Sequence, residues 1–370
     1  MASVRVVLRL IAAVLPAGVS AARPAGEIPY STWMLGERLI KRMKHLSKWG
    51  RRQGISCFRL YERDIPDHPI VIDWFADEDA EHIGHAGDAV AWFHQRTRDE
   101  TPEETAAYQR SACEEICTSL GLAPDRLFVK QRARQRDEQG GRAQYEKLDT
   151  RRICKTVCEQ GARFEINLSD YLDVGLFLDH RPNRLALQKR ARGKRVLNLF
   201  AYTGSFSVQA MLGGAARTTT VDLSRTYLDW YRRNLELNGL ALDDAHQAVH
   251  ADCMQWLEEG PANTDPYDIV ICDPPTFSNS KRMKTDFFSI ERDHAYLLGQ
   301  VARYVAPGGE IFFSTNARGF DLTSGITPAG FGVQEITHRS VPEDFRNRTI
   351  HRCWRLAEGW TPRRMPQGAP

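Results

Sequence analysis

Val196-Leu-Asn-Leu-Phe-Ala-Tyr-Thr-Gly204-Ser-Phe206 opens the stretch whose reading decides the fold, and Ile271-Cys-Asp273-Pro-Pro-Thr-Phe277 closes it. The first segment is an apolar strand that breaks at a glycine turn and runs into a helix. Between the two, Asp222 and Asp252 each follow a further apolar run. Acids at the carboxyl ends of successive strands are how an open α/β sheet presents a ligand site where its strand order reverses. Strands are expected at 196–200, 218–222, 248–251, 267–272 and 310–314, with helices at 205–212, 225–238, 253–259 and 290–305. That alternation predicts a parallel sheet. Asn238-Gly239 and Pro307-Gly308-Gly309 read as helix stops. Residues 332–337 and 349–356 read as an antiparallel pair at the sheet edge.

The first turn holds a single glycine, Gly204, and no GxGxxG. The extra glycines of that pattern let backbone approach a pyrophosphate. Their absence argues against a dinucleotide and for an adenosyl group without phosphate, S-adenosylmethionine. Asp222 lies roughly 20 residues past the turn, where an acid binds ribose hydroxyls. Leu223 follows it, and Ser224 is placed to cap the next helix. Asp252 can reach an adenine amino group or serve as a plain N-cap. The candidate cofactor contacts are Asn198, Phe200, Tyr202, Thr203, Gly204 and Phe206 from the turn, with Asp222, Leu223, Ser224, Asp252 and Asp273. Phe177, Asp179 and Arg181 join them from the upstream Gly175-Leu-Phe-Leu-Asp-His-Arg181 segment. Arg181 can pair with the methionine carboxylate or act in ordinary surface salt bridges. Asp273, Pro274, Pro275 and Phe277 are the catalytic candidates. Two prolines stiffen that loop, so it can hold a planar base, and Phe277 can stack on the base or pack in the core.

Ahead of the alternating region lies a different pattern. Leu35, Leu39, Met43 and Leu46 share one face of a helix over 34–50, with Arg38, Lys41, Lys44, Lys48 and Arg52 on the other. Strands are expected at 57–61, 69–75, 127–130 and 162–168. Thr101-Pro-Glu-Glu104 starts a helix that runs to Leu120, before Gly121. Residues 77–87 are an acidic loop and 132–142 a charged one. The expected division is 1–33 as a leader or over-extended start, 34–170 as a small α+β RNA or substrate domain, 171–360 as the cofactor domain, and 361–370 as a tail.

The 370 residues carry a net charge of only +3, so a nucleic-acid partner has to be sought in local clusters. The candidates are Arg38, Lys41 and Lys48 on the first helix, Arg132 and Arg134 with their neighbours Arg126, Lys130 and Arg136, and a run from Arg184 to Arg195. The 8 cysteines lack the spacing of a metal or iron–sulfur site, and no metal is expected. They read as reduced thiols of a cytoplasmic protein. Residues 1–25 look like a secretory leader, but Arg9 and Pro16 interrupt a run too short to span a membrane. An over-extended start fits better, and no membrane partner is expected.

The segments Phe177-Leu-Asp-His-Arg181, Asn198-Leu-Phe-Ala-Tyr-Thr-Gly-Ser-Phe206, Val221-Asp-Leu-Ser224, Asp273-Pro-Pro-Thr-Phe277 and Asp344-Phe-Arg-Asn-Arg-Thr-Ile-His-Arg-Cys-Trp354 together resemble the bacterial large-subunit rRNA methyltransferases. The likeness is to the guanine-N7 half of their bifunctional members. It covers about residues 34–357 and is densest from 145 onward. It implies an α/β fold, a Rossmann-like class I methyltransferase sheet preceded by a smaller α+β domain. It also implies S-adenosylmethionine as cofactor and 23S rRNA or a large-subunit precursor as substrate. The family's long form adds an RNA-binding module and a guanine-N2 methyltransferase, which this sequence lacks, so a separate guanine-N2 enzyme is a candidate partner. Two readings compete. An rRNA cytosine-C5 methyltransferase would need a cysteine nucleophile, and an inert assembly factor would need no cofactor.

Overall fold

The computed structural model describes residues 30–76, 84, 86–97, 99–131, 150–261, 265–278, 288–322 and 328–358. The leader reading for 1–29, most of the acidic 77–87 stretch, Arg132, Arg134 and Arg136, and the 361–370 tail lie outside these residues.

Helix α1 (Tyr30–Gln53) buries Leu35, Leu39, Met43 and Leu46 in one stripe, as the helical spacing requires. It lies with α2 (Pro102–Leu120) against a sheet of β1 (Cys57–Glu62), β2 (Ile70–Ala76), β3 (Gly87–Phe93) and β4 (Leu127–Gln131), in that order. β3 and β4 are parallel, with α2 as their crossover. The α2 ends follow the sequence signals. Thr101 and Glu104 form a reciprocal capping box, and Gly121 ends the helix in the left-handed region at φ 63°. β3 was not expected. All seven of its residues are buried, so it lacks the polar–apolar alternation that marks a half-exposed strand. The hairpin β5 (Cys154–Glu159) and β6 (Ala162–Asn167) follows, and only β6 was legible.

The large sheet contains β7 (Arg195–Leu199), β8 (Arg217–Asp222), β9 (His246–His250), β10 (Tyr267–Cys272), β13 (Val305–Thr315), β14 (Phe331–Glu335) and β15 (Arg352–Glu358). Its order is β14-β15-β13-β10-β7-β8-β9. The strands from β13 to β9 run parallel, and β15 is antiparallel to both its neighbours. Strand order reverses between β7 and β10, the switch point where such sheets bind ligands. Helices α3 (Arg181–Arg190), α4 (Ser205–Leu212), α5 (Arg225–Leu237), α6 (Cys253–Glu259) and α7 (Ile290–Ala302) connect or flank them, with a short β11–β12 pair (Phe277–Ser278 and Phe288–Ser289) and α8 (Thr337–Ser340). One reading needs correction. Pro307-Gly308-Gly309 does not cap α7 but lies inside β13 as a bulge, where pairing jumps from Tyr267–Val305 to Ile269–Glu310.

The open face of the small sheet packs on the large-sheet unit. Cys57, Phe75, Val90, Trp92 and Phe128 share a core with Phe164, Val208, Tyr231 and Phe345. A buried ionic cluster crosses the same junction. Arg184 donates to both oxygens of Glu159 at 2.7 Å. Arg181 donates to Asp344 at 3.0 Å and to the Cys57 carbonyl at 2.7 Å, and its Nε faces Glu159 at 3.4 Å. Asp344 also accepts the Arg59 backbone N–H at 2.8 Å. All four side chains are essentially inaccessible, at 2% or less. Removing one partner from such a set strands a charge in the interior. Glu159→Ala is therefore expected to cost about 3–5 kcal/mol in urea unfolding; a loss under about 1 kcal/mol would mean the cluster does not hold the junction.

Candidate active site

A cavity of about 250 Å³ opens at the switch point. It is lined by Phe177, Asp179, His180, Arg184, Asn198, Phe200–Tyr202, Ser205, Phe206, Asp222, Leu223, Tyr227, Asp252, Cys253, Asp273–Phe277 and Asn316. A second cavity of about 260 Å³ shares Phe177, Asp179 and Asn316 with it and reaches Arg59, Trp92 and Phe345 at the junction with the small sheet.

The turn after β7 builds the floor. Phe200 and Tyr202 hold φ of 55° and 52°, left-handed values that cost a side-chain-bearing residue about 1 kcal/mol or more each. Hydrogen bonds over-determine them: the Phe200 N–H points at Cys253 Sγ, and the Tyr202 N–H donates to Asp222 Oδ2 at 2.8 Å. Gly204 ends the turn at φ 70°, and a Cβ there would meet the Tyr231 ring at 2.1 Å. One glycine is therefore obligatory here for packing, and the turn keeps its shape without others.

Asp222 accepts Tyr202 N–H on one oxygen and Ser224 N–H on the other. Burial pushes its pKa up to about 6, against the pull of those two donors. Asp252 is an N-cap at the cavity edge. Its Oδ1 caps α6 through Met254 and Gln255, and the residue also lines the cavity. Asp273 stands at the end of β10, where Ser314 donates to Oδ1 at 2.6 Å and His180 Nε2 faces Oδ2 at 3.5 Å. Phe277 is 53% exposed at the rim, so it is free of the core. Pro274 is buried, and Thr276 donates to Asn316 at 2.7 Å, which ties the loop to the end of β13. Phe177 lies over Tyr202 with ring centroids 5.1 Å apart.

Of the residues named from sequence, Phe177, Asp179, Asn198, Phe200, Tyr202, Phe206, Asp222, Leu223, Asp252 and Asp273 line the cavity. Thr203, Gly204 and Ser224 support it from behind: Thr203 donates to the Gly175 carbonyl, and Ser224 caps α5. Arg181 is a correction. It is neither a cofactor contact nor a surface cap, because Asp344, Glu159 and Cys57 consume it in the interior. Arg184, read as part of a basic surface, is likewise buried on Glu159. Arg38 is ion-paired to Asp64, and Lys130 is buried on the Tyr171 carbonyl, where burial lowers its pKa to about 8. Lys41 and Lys48 are exposed on α1 and do not line the cavity. His180, Asn316 and Tyr227 were missed. His180 lay between two named residues of the 175–181 segment, whereas Asn316 reaches the site only in space.

A family model described as S-adenosylmethionine-dependent methyltransferase matches residues 90–327. A Pseudomonas putida protein, "Ribosomal RNA large subunit methyltransferase K/L", is 44% identical over 328 residues, which is 87% of this chain and 42% of that protein. The chain thus spans less than half the length of this curated relative. Among solved structures, SMU.776, complexed with SAH, matches with TM-score 0.64 at 22% identity over 87% of this chain and 81% of its own. A Streptococcus mutans chain matches with TM-score 0.66 at 20% identity over 90% and 83%. At those identities the likeness is one of fold.

The cavity chemistry fits an adenosyl sulfonium. Two carboxylates in the lining, Asp222 and Asp252, are acceptors of the kind that hydroxyls and an amino group need. Among the described residues the one guanidinium in the wall, Arg184, is already paired with Glu159, so that lining suits a ligand without phosphates. A contact from ionised Asp222, the stronger acceptor, to ribose hydroxyls predicts that affinity for S-adenosylmethionine is full above about pH 7 and falls by up to about tenfold per unit below about pH 6. Calorimetric titration from about pH 5 to 7.5 reads this slope, which Asp222→Asn should abolish; a flat wild-type profile would remove Asp222 from the contact.

Proposed function

The chain belongs to the S-adenosylmethionine-dependent methyltransferase family, and we propose that its acceptor is N7 of a guanine in 23S rRNA. S-adenosylmethionine supplies an electrophilic methyl on sulfur. The protein's task is alignment of the acceptor with it, because guanine N7 offers an in-plane lone pair and no proton has to leave. Asp273-Pro-Pro-Thr-Phe277 at the end of β10 carries this reading. Its prolines and the Thr276–Asn316 hydrogen bond hold the loop stiff, and the exposed Phe277 ring offers a face for the base to stack on. The guanine ring gains positive charge as its N7 is methylated, and the Asp273 carboxylate at the cavity wall stabilises it. A base in folded rRNA has to be unstacked to get there, and the second cavity adjoins the first, with Phe177, Asp179 and Asn316 in the lining of both.

The cytosine-C5 alternative requires a thiolate to add to the ring. Burial pushes the Cys253, Cys272 and Cys353 thiols up, away from the thiolate form, and all three are at most 3% exposed. Among the described residues no thiol is poised for that attack, which favours a nitrogen acceptor. The rRNA assignment rests on the Pseudomonas putida relative's name.

Asp273→Ala should lower kcat by about tenfold to a thousandfold while leaving cofactor affinity within about threefold; equal losses in both would remove its electrostatic role. In cells lacking the protein, nucleoside mass spectrometry of 23S rRNA should show one 7-methylguanosine missing. An unchanged profile, or loss of 5-methylcytidine instead, would overturn the proposal.

A further inference from the structure

Asp179, His180 and His351 bring ligating atoms close enough together to resemble a metal site. Their polar contacts describe something else. His351 Nδ1 lies 2.9 Å from Asp179 Oδ2, and its Nε2 lies 2.8 Å from the Ser340 hydroxyl. The His180 ring stacks on His351 with centroids 4.2 Å apart and planes at 9°. His180 Nε2 faces Asp273 Oδ2 at 3.5 Å, and its Nδ1 meets the Asn183 amide nitrogen at 3.2 Å. The second hydrogen of that amide points at Cys353 Sγ, 3.7 Å away. Two histidines thus lie face to face, each with a carboxylate at one nitrogen and a neutral polar group at the other.

This arrangement fixes the proton. A carboxylate opposite Nε2 requires an N–H there, because two lone pairs would repel. In a neutral ring Nδ1 is then an acceptor, and the Asn183 N–H is what it meets. The groups facing His180 keep the ring neutral on balance. Burial lowers its pKa and Asp273 raises it; His351 lowers it, Asp179 raises it and Arg184 lowers it, with a net lowering. Phe206 covers the ring edge-on.

We propose that Asn183 and His180 form a relay that holds Asp273 in its working orientation. His180 is fixed as the neutral Nε2–H tautomer, and both residues serve as positioning residues for the methyl transfer. Ser314 donates to one oxygen of Asp273 at 2.6 Å and His180 Nε2 faces the other at 3.5 Å, so the two bracket the carboxylate from opposite sides. No proton is transferred. The inference rests on the acceptor reading above for its kinetic consequence, but the tautomer is a property of the protein alone.

The test has two arms on the full chain with SAH bound. Long-range proton–nitrogen correlation spectra of the histidine rings should show His180 neutral and protonated at Nε2 near pH 7. A ring protonated at Nδ1 alone, or an imidazolium, would overturn the relay whatever the substrate is. In single-turnover methylation of large-subunit RNA, His180→Leu should lose about tenfold to a hundredfold in rate with SAH affinity within about threefold. His180→Gln, which restores an N–H near Nε2, should recover most of the rate. Asn183→Asp places an acceptor opposite Nδ1. Below the raised His180 pKa the imidazolium still donates from Nε2; above it the proton stays on Nδ1 and Asp273 loses its donor. That variant alone should therefore slow, relative to the wild type, as pH rises through the titration of the ring. A His180→Leu variant as fast as the wild type, or an Asn183→Asp profile parallel to the wild type, would refute the proposal. If the wild type methylates no RNA, the acceptor reading fails, and the spectra still decide the tautomer.

Discussion

The pairing of Arg181 and Arg184 with Glu159 and Asp344 is the constraint on which the cleft depends. Each partner comes from a different part of the chain: the guanidiniums from the first turns of α3, Glu159 from the end of β5, and Asp344 from the segment before β15. A buried ion pair of this kind adds little net stability over an apolar replacement, but leaving one member alone is expensive. The cluster therefore works as a lock. The cluster fixes the α3 start, and of the residues just before it Phe177 and Asp179 are delivered to the wall shared by both cavities and His180 to the first. The Arg184 bond to the Phe177 carbonyl, at 2.9 Å, extends the lock into that wall.

The opposite wall is held by hydrogen bonds to backbone. The left-handed Phe200 and Tyr202 would relax if Asp222 and Cys253 did not hold their N–H groups. Asp222 thereby orients the turn and faces the cavity at once. Its raised pKa is the mark of that double demand, because a carboxylate buried for geometry has lost the water that would stabilise its charge. The dependence on one glycine has the same origin, since close approach is needed only where the Tyr231 ring lies against Gly204.

Local signals made much of this legible. The capping box at Thr101, the Ser224 and Asp252 caps and the strand-end acids are short-range patterns, and the structure places them as read. Arg181 shows where such reading stops. Its position beside Asp179 invited a ligand role, and its true partner lies 163 residues away. The same distance hides the relay, whose members Asn183, His180, Asp273, Ser314 and His351 meet only after β10, β13 and β15 are aligned. β3 escaped for another reason: buried on both faces, it has no periodicity to betray it. The bulge at Pro307–Gly309 imitates a helix stop because proline and glycine punctuate strands as well as helices.

β15 follows every other strand of its sheet in sequence, yet it sits between β14 and β13 rather than at the edge. The segment leading into it carries Asp344 and His351, so the lock and the stacked histidine pair both wait for it. The Arg59–Asp344 hydrogen bond closes a separation of 285 residues. Contacts of that span come late in folding, because the entropy of so long a loop is lost before they form. A growing chain thus carries two guanidiniums, with Asp344 still to come, and a sheet with β13 open on one side. The lock and the stacked histidine pair are complete only once residues 344–358 are in place, so the last-made strand of the sheet is also the one that closes the cleft's support.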